Sequence, residues 1–341
     1  MSDVRERESE TAVLTYKDVA VRVDEAGAGK RTIVVERTGG TFVPAWSCVT
    51  SYPLHLIERV LEAKGAYVVD EIMRDEAPLY VQNHFKWAIF SYVNGDSFAG
   101  RRLLDFGCGA GASIMVLSRM LPGNTEFVGV ERVPGLIELA RERARWYGIE
   151  NRTAFLFSPD PSTLPDGIGG FDFVLLSAVF EHLLPAERHS VLPLLWRHLK
   201  PGCILFLNQT PYRWLPVERH TTGLPLLNYL PDALAHWTAL RCSKRVRPDE
   251  KWSDLLRGGV RGSTTGEILA ILKENSCEAE LLEPSRQGVR DPVDLWFRLS
   301  SGTRNPGAKR AMSYAFRALR TTTGLTMVPT LSLAIRKLGN G

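Results

Sequence analysis

Asp105, Gly107, Gly109 and Gly111 stand at alternate positions in the run RRLLDFGCGAGAS. The apolar LLDF (103–106) reads as a buried strand running straight into three glycines. Residues without a Cβ let a chain turn this tightly, and they let a ligand lie against bare backbone with the next helix's N-terminus behind it. That is the chemistry of holding a nucleotide-like cofactor. Taken alone, the same residues also fit a plain strand-to-helix turn.

Two cofactor classes fit the turn. Gly107, Gly109 and Ala112 satisfy the dinucleotide pattern G-x-G-x-x-A, which suits a nicotinamide or flavin oxidoreductase. The same turn suits an S-adenosylmethionine enzyme. Asp105 separates them, because an acid is awkward beside a pyrophosphate and favourable beside a cationic aminoacyl group. Glu131, at the end of the next apolar run EFVGVE (126–131), can accept both ribose hydroxyls of either cofactor. Asp160 follows the third run and is placed for an adenine amino group, with Leu164-Pro165 closing its loop.

The surrounding elements alternate. Strands are expected at 103–106, 126–131, 153–157, 171–177 and 203–209, with helices at 114–121, 134–147 and about 185–199. Strands spaced by helices of this length imply a parallel sheet with right-handed crossovers. A helix near 265–274 and strands near 278–283 and 293–299 follow. Upstream, 12–45 reads as short strands or a hairpin, and 52–93 as helices covering the cofactor, with Tyr80 or Phe85 near it. The expected organisation is an N-terminal extension (1–95), a doubly wound, Rossmann-like α/β domain of seven mostly parallel strands with helices on both faces (96–300), and a basic C-terminal helical tail (301–341).

Taken together these residues resemble a class I S-adenosylmethionine-dependent methyltransferase of the small-molecule type, over about 101–209. The carriers are Asp105 with Gly107-Gly109-Gly111, Glu131, Asp160 with Leu164-Pro165, Phe171-Asp172 and Val174, Glu181-His182, and Leu199-Lys200-Pro201-Gly202. The resemblance implies that Asp105 and the backbone of Gly107, Cys108, Gly109 and Gly111 hold the methionine moiety. It implies that Glu131 takes the ribose with Arg132 alongside, that Asp160 and Pro161 frame the adenine, and that Ser177 lines the pocket. Phe106 stands where an aliphatic residue is usual, and Ser158-Pro159 where a glycine is usual.

Methyl transfer needs alignment and exclusion of water, and an oxygen nucleophile can need a base. His182, at the carboxyl edge of the sheet, and His220, in PYRWLPVERHTTGLP, are the candidate catalytic residues; each also fits a structural role. A Glu218/His220 metal pair has little support, and no metal is expected. Residues 210–262 form a Pro-rich insertion after the fifth strand, too long for a plain connection. It is the expected substrate lid, with Tyr212, Trp214, Leu224, Leu226, Leu227 and Tyr229 as an apolar wall.

Composition bounds the rest. The chain has 341 residues, 44% hydrophobic and 23% charged, which excludes wholesale disorder. It lacks an apolar run of the roughly 20 residues a spanning helix requires, and MSDVRERESE lacks the apolar stretch expected of a secretory signal. Five scattered cysteines suit reduced thiols in a cytoplasm. Net charge is +4, too small to argue for nucleic acid, and no Pro-Pro-aromatic tetrapeptide for a flipped base follows the fourth strand. Beyond Ser301 there are seven basic residues and no acid. Its apolar residues at helical spacing favour a helix packed on the body, with peripheral contact at the inner membrane surface as the alternative. The expected activity is methyl transfer, through oxygen, to a small-molecule or glycan- or lipid-linked acceptor. An NAD(P)-dependent oxidoreductase and a non-catalytic binding domain are the competing readings.

Overall fold

The computed structural model describes residues 11–275, 278–300 and 305–339. Cys277 and Arg304 lie outside them, as do the first ten residues. The described chain falls into two compact units. One holds the residues up to Asn83 together with Cys108–Arg119 and Val133–Asn151; the other holds His84–Gly107, Met120–Arg132 and the remainder from Arg152.

In the first unit, β1 (Thr11–Tyr16), β2 (Val19–Gly27), β3 (Lys30–Thr38) and β4 (Ser47–Thr50) form an antiparallel sheet in sequence order. This extends the expected hairpin by two strands. The alternation of β-branched residues along β2 and β3 puts Val21, Val23, Ile33 and Val35 on one face. That face packs on α1 (Leu54–Lys64) and α2 (Val68–Glu76) through Leu56, Ile57, Val60, Leu61, Val69 and Ile72. Fully buried Arg143 is paired at 2.8 Å with Glu71 and donates to the Ala110 carbonyl at 3.0 Å. A short helix α3 (Asn83–Ala88) follows and, from His84 onward, belongs to the second unit; its Phe85 is wholly buried.

The second unit carries a seven-stranded sheet. Its strands are β5 (Arg102–Phe106), β6 (Glu126–Glu131), β7 (Thr153–Phe157), β8 (Phe171–Ser177), β9 (Leu199–Pro211), β10 (Ala279–Leu281) and β11 (Thr330–Lys337), in the order β10-β11-β9-β8-β5-β6-β7. β5 to β9 pair in parallel, and β11 lies antiparallel to both β9 and β10. One strand of seven is therefore reversed, and the Rossmann-like α/β expectation holds.

Intervening helices are α4 (Ala112–Met120), α5 (Pro134–Trp146), α6 (Pro185–His198), α7 (Asp232–Cys242), α8 (Trp252–Arg257), α9 (Thr265–Glu274), α10 (Pro292–Leu299) and α11 (Pro306–Thr323). Alternate strand residues Leu104, Val128, Val174, Leu205 and Leu333 share a core with Leu192 and Trp196 of α6, Ile268 and Leu272 of α9, and Val293 of α10. Each such buried side chain contributes about 1.5–3 kcal/mol.

Two elements differ from expectation. Residues 293–299 form a helix: Asp291 caps it by accepting the Asp294 N–H at 2.6 Å, and Pro292 presets its first turn. The basic segment 301–341 is helical only in α11; LSLAIRK is β11, whose residues 331–335 are buried. The tail's cations engage the body. Lys309 donates to the Ser300 carbonyl, Arg317 pairs with Asp291, Arg320 with Glu283 and Arg336 with Glu280, and Lys337 reaches the carbonyls of Trp196 and Leu199 at 2.7 Å. Among the described residues no helix is long and apolar enough to cross a membrane.

Candidate active site

The chain leaves β5 through the glycine turn with Gly107, Gly109 and Gly111 at φ +73°, +54° and +80°. All three lie in the left-handed region, which explains their spacing. Gly107 donates its N–H to the Val130 carbonyl at 2.8 Å, tying the turn to β6. A Cβ at Gly107 would stand 2.8 Å from Val179 Cγ2.

A cavity of about 220 Å³ opens at the carboxyl ends of β5, β6 and β8. Its walls include Gly107, Glu131, Arg132, Ser158, Pro161 and Val179, and on the far side His182 and Arg257. This is where parallel α/β sheets place ligands. Ala178, also on the wall, is held at φ +56°, a left-handed conformation uncommon outside glycine. Its N–H donates to the Asn208 carbonyl at 3.0 Å, so β8 and β9 end locked together.

Asp105 is buried, and its Oδ2 has no hydrogen-bond partner among the described residues. Burial, and then the charge of Glu131, push its carboxyl up to about 7. A buried carboxylate oxygen without a partner, in the strand that leads to the cavity, is costly; a cation relieves that cost and a pyrophosphate would add to it. Glu131 accepts the Arg132 N–H at 2.8 Å, and its carboxylate lies on the cavity wall.

The structure brings Gly107, Glu131, Arg132, Pro161 and His182 to one cavity. It places Asp160 differently: the exposed carboxylate accepts the Ser162 N–H and hydroxyl, both at 2.8 Å, and stands off the wall. Ser158 lines the cavity beside Pro161 instead. Ser177 ends β8 one residue short of the wall residues Ala178 and Val179. Cys108, Gly109 and Gly111 continue the turn in the first compact unit.

The Phe171-Asp172 motif is structural. Asp172 accepts the Arg102 N–H at 3.0 Å and pairs with Arg101 at 3.0 Å and Lys200 at 2.9 Å. Burial opposes its ionisation, yet the Arg102 N–H and Lys200 hold its carboxyl below the usual range. The motif staples the starts of β5, β8 and β9, and so the opposite sheet edge.

The insertion 210–262 builds a small core of its own from Leu227, Ala235, Ala239, Val246, Leu255 and Val260. Leu227 is therefore packing, and Trp214 and Tyr229 form a half-exposed pair with ring centroids 5.7 Å apart. Tyr212, Leu215, Val217, His220 and Asn228 line a second cavity of about 480 Å³, completed by α10, α11 and the start of β11. Glu218 is committed to its own loop, accepting the N–H groups of His220, Thr221 and Thr222 and the Thr222 hydroxyl. Both Glu218 oxygens are thus engaged within the loop.

His182 and His220 converge from distant parts of the chain, with ring centroids 5.7 Å apart. Each Nδ1 sits against a backbone carbonyl, Arg257 at 2.6 Å and Gly258 at 3.0 Å. Arg257 itself pairs with Glu187. Sequence reasoning missed Arg257 and Glu181. Nothing in the local pattern of the insertion singles out one arginine, and in sequence Glu181 stands out only as the neighbour of His182 in a motif.

Residues 103–202 match the family model described as a methyltransferase domain. The ubiquinone biosynthesis O-methyltransferase of Ruegeria pomeroyi is 31% identical over 167 residues, covering 47% of this chain and 59% of that protein. The ribosomal protein L11 methyltransferase of Marinobacter nauticus is 36% identical over 77 residues, covering 22% and 25%. The methyltransferase GfsG of Streptomyces halstedii is 32% identical over 111 residues, covering 33% and 38%. The chain thus spans between a quarter and about three fifths of the length of these relatives. Among solved structures, the geranyl diphosphate C-methyltransferase from Streptomyces coelicolor aligns with a TM-score of 0.43 at 16% identity over 82% of each chain. Strand order, glycine turn and matched segment agree: residues 103–202 carry a methyltransferase domain of the class I, S-adenosylmethionine-dependent type.

Proposed function

We propose that this protein transfers a methyl group from S-adenosylmethionine to the oxygen of a small-molecule acceptor. The observation that carries the reading is the cavity walled by Gly107, Glu131, Arg132, Ser158 and Pro161, with Asp105 buried in the strand that leads to it and its Oδ2 without a partner among the described residues. S-adenosylmethionine, when bound, supplies an electrophilic methyl group on a cationic sulfur. Asp105 and the backbone of Gly107, Cys108, Gly109 and Gly111 bind its aminoacyl end in this reading. Glu131 and Arg132 bind the ribose. Ser158 and Pro161 frame the adenine, with Asp160 shaping their loop through Ser162. Ser177 sets the register that delivers Ala178 and Val179 to the wall.

The acceptor belongs in the second cavity, whose apolar and aromatic lining suits a small organic molecule. His182 lines the first cavity and His220 the second, and their ring centroids are 5.7 Å apart. They are the groups to orient an acceptor hydroxyl and, where no metal ion occupies their Nε2 atoms, to take its proton. The insertion excludes water, as an in-line displacement requires. A glycan- or lipid-linked acceptor is the finer variant. Against a membrane role for the tail, five of its cations already hold the body. The scattered cysteines suit a cytoplasmic setting.

The test is calorimetric titration with S-adenosylhomocysteine and with NADH and NADPH, followed by transfer of a labelled methyl group to candidate acceptors. Binding of the first and not the others is expected. Binding of a nicotinamide cofactor alone would return the glycine turn to the oxidoreductase reading. Tight cofactor binding without transfer to any acceptor class would favour a non-catalytic domain.

A further inference from the structure

We propose that Glu181, His182 and His220 bind one divalent transition-metal ion, of the Zn²⁺ or Mn²⁺ type, where the two cavities adjoin. One donor atom from each residue lies within 4.8 Å of the others. The three come from two places far apart in sequence, the turn after β8 and the insertion.

Glu181 is the strongest observation. Its side chain is 1% exposed. Oε2 accepts the Thr210 hydroxyl at 3.1 Å, but Oε1 has no hydrogen-bond partner among the described residues and lies 3.8 Å from His182 Nε2. A buried carboxylate oxygen left unpaired is costly, and a cation between it and the imidazoles removes that cost.

The tautomers of both histidines suit ligation. A backbone carbonyl only accepts, so the contacts at Arg257 and Gly258 assign the proton of each neutral ring to Nδ1. Each Nε2 keeps its lone pair. Outer hydrogen bonds of this kind fix tautomer and ring orientation at metal centres. Gly259 makes room for the arrangement: at φ +94° a Cβ there would lie 2.6 Å from His220 Nδ1 and 3.5 Å from Glu181 Cγ.

Donor chemistry selects the ion. Two imidazoles and one carboxylate suit Zn²⁺, Mn²⁺ or Fe²⁺, whereas Mg²⁺ and Ca²⁺ prefer all-oxygen sets. Donors about 2.1 Å from one ion stand at most about 4.2 Å apart, so the half-exposed rings close by some tenths of an ångström. Three protein ligands leave positions open towards the cavities. Whether the ion then holds an acceptor oxygen rests on the methyl-transfer reading; whether it binds does not.

The test uses the full chain, stripped with EDTA, dialysed and titrated calorimetrically with ZnCl₂ or MnCl₂ without cofactor. One ion per chain at micromolar affinity or better is expected. His182→Ala, His220→Ala and Glu181→Gln should each weaken binding by about tenfold or more. If buried Glu181→Gln or His182→Ala does not fold, the exposed His220→Ala decides. X-ray absorption of the Zn²⁺-loaded parent should show two imidazoles. Absence of stoichiometric uptake, parental affinity in His220→Ala, or an ion without histidine ligands overturns the proposal. S-adenosylhomocysteine binding by the stripped protein is measured separately. If it persists while metal uptake fails, only the metal site falls; if it is lost while uptake persists, only the cofactor reading falls.

Discussion

Val179 stands over Gly107 on the cavity wall, leaving room for a hydrogen on Gly107 and none for a methyl group. The Val179 side chain is β-branched and stiff, so it cannot turn aside cheaply. Gly107→Ala is therefore expected to cost about 1–3 kcal/mol, from the left-handed backbone and the clash together. Val179→Ala in the same chain should recover the steric part alone. Chemical denaturation of the two single variants and the double variant checks this; additive losses would show that the two residues do not press on one another.

Asp105 makes cofactor affinity and stability respond to pH in opposite senses. Its carboxyl sits at about 7 in the folded chain, against about 3.9 unfolded. The native state thus binds more protons between those values, and this group's contribution to stability falls as pH rises from about 4 to 7. A cationic ligand favours the ionised form. Affinity for S-adenosylmethionine should rise roughly tenfold from pH 6 to pH 8, with proton release on binding near pH 6. Asp105→Asn should abolish that dependence, weaken binding by about 1–3 kcal/mol, and melt higher than the parent at pH 8. Calorimetry in buffers of different ionisation enthalpy reads the proton directly.

Asp172 carries the opposite sign. Its folded carboxyl is held below the usual range, so its contribution is complete above the unfolded value and disappears as pH falls through the folded one. Asp172→Asn should lose about 1–3 kcal/mol at neutral pH, because Arg101 and Lys200 remain half-exposed and can turn to water. The gap to the parent should narrow in acid. Thermal melts from pH 7 to pH 3 test it, and a gap that stays constant would locate the loss elsewhere.

His220 and Gly259 act as a pair. His220→Ala should lower turnover while leaving S-adenosylhomocysteine affinity within about twofold, and Gly259→Ala should reproduce that effect by displacing the ring. Steady-state kinetics alongside cofactor titration separates the two quantities. A Gly259→Ala chain with parental turnover would show that the ring position does not matter to the reaction.

Much of the catalytic half was legible because parallel strands buried on both faces leave short apolar runs between turn residues. The bounds expected for 126–131, 153–157 and 171–177 are those of β6, β7 and β8. The same physics misled at the C-terminal end. LSLAI in β11 is buried along its length, and such a run reads equally as helix or strand. In VDLWFRLS the preceding Asp291-Pro292 is a helix start that outweighs the β-like side chains. In the site, residues held by backbone rules were readable, as with the glycines and Glu131. Arg257, Glu181 and the company kept by His220 depend on how the insertion folds around its own core, which no local pattern announces.

β11 lies between β9 and β10, yet it comes from residues 330–337. During synthesis the ribosome must therefore have released the chain through residue 337 before that slot can be filled. Until then β9 offers a bare backbone edge to any neighbouring nascent chain, a template for aggregation. Products cut short of position 330 should accumulate in inclusion bodies or be cleared by proteases. A fusion partner that hinders the last strand from docking should do the same, even though it sits far from the glycine turn in sequence.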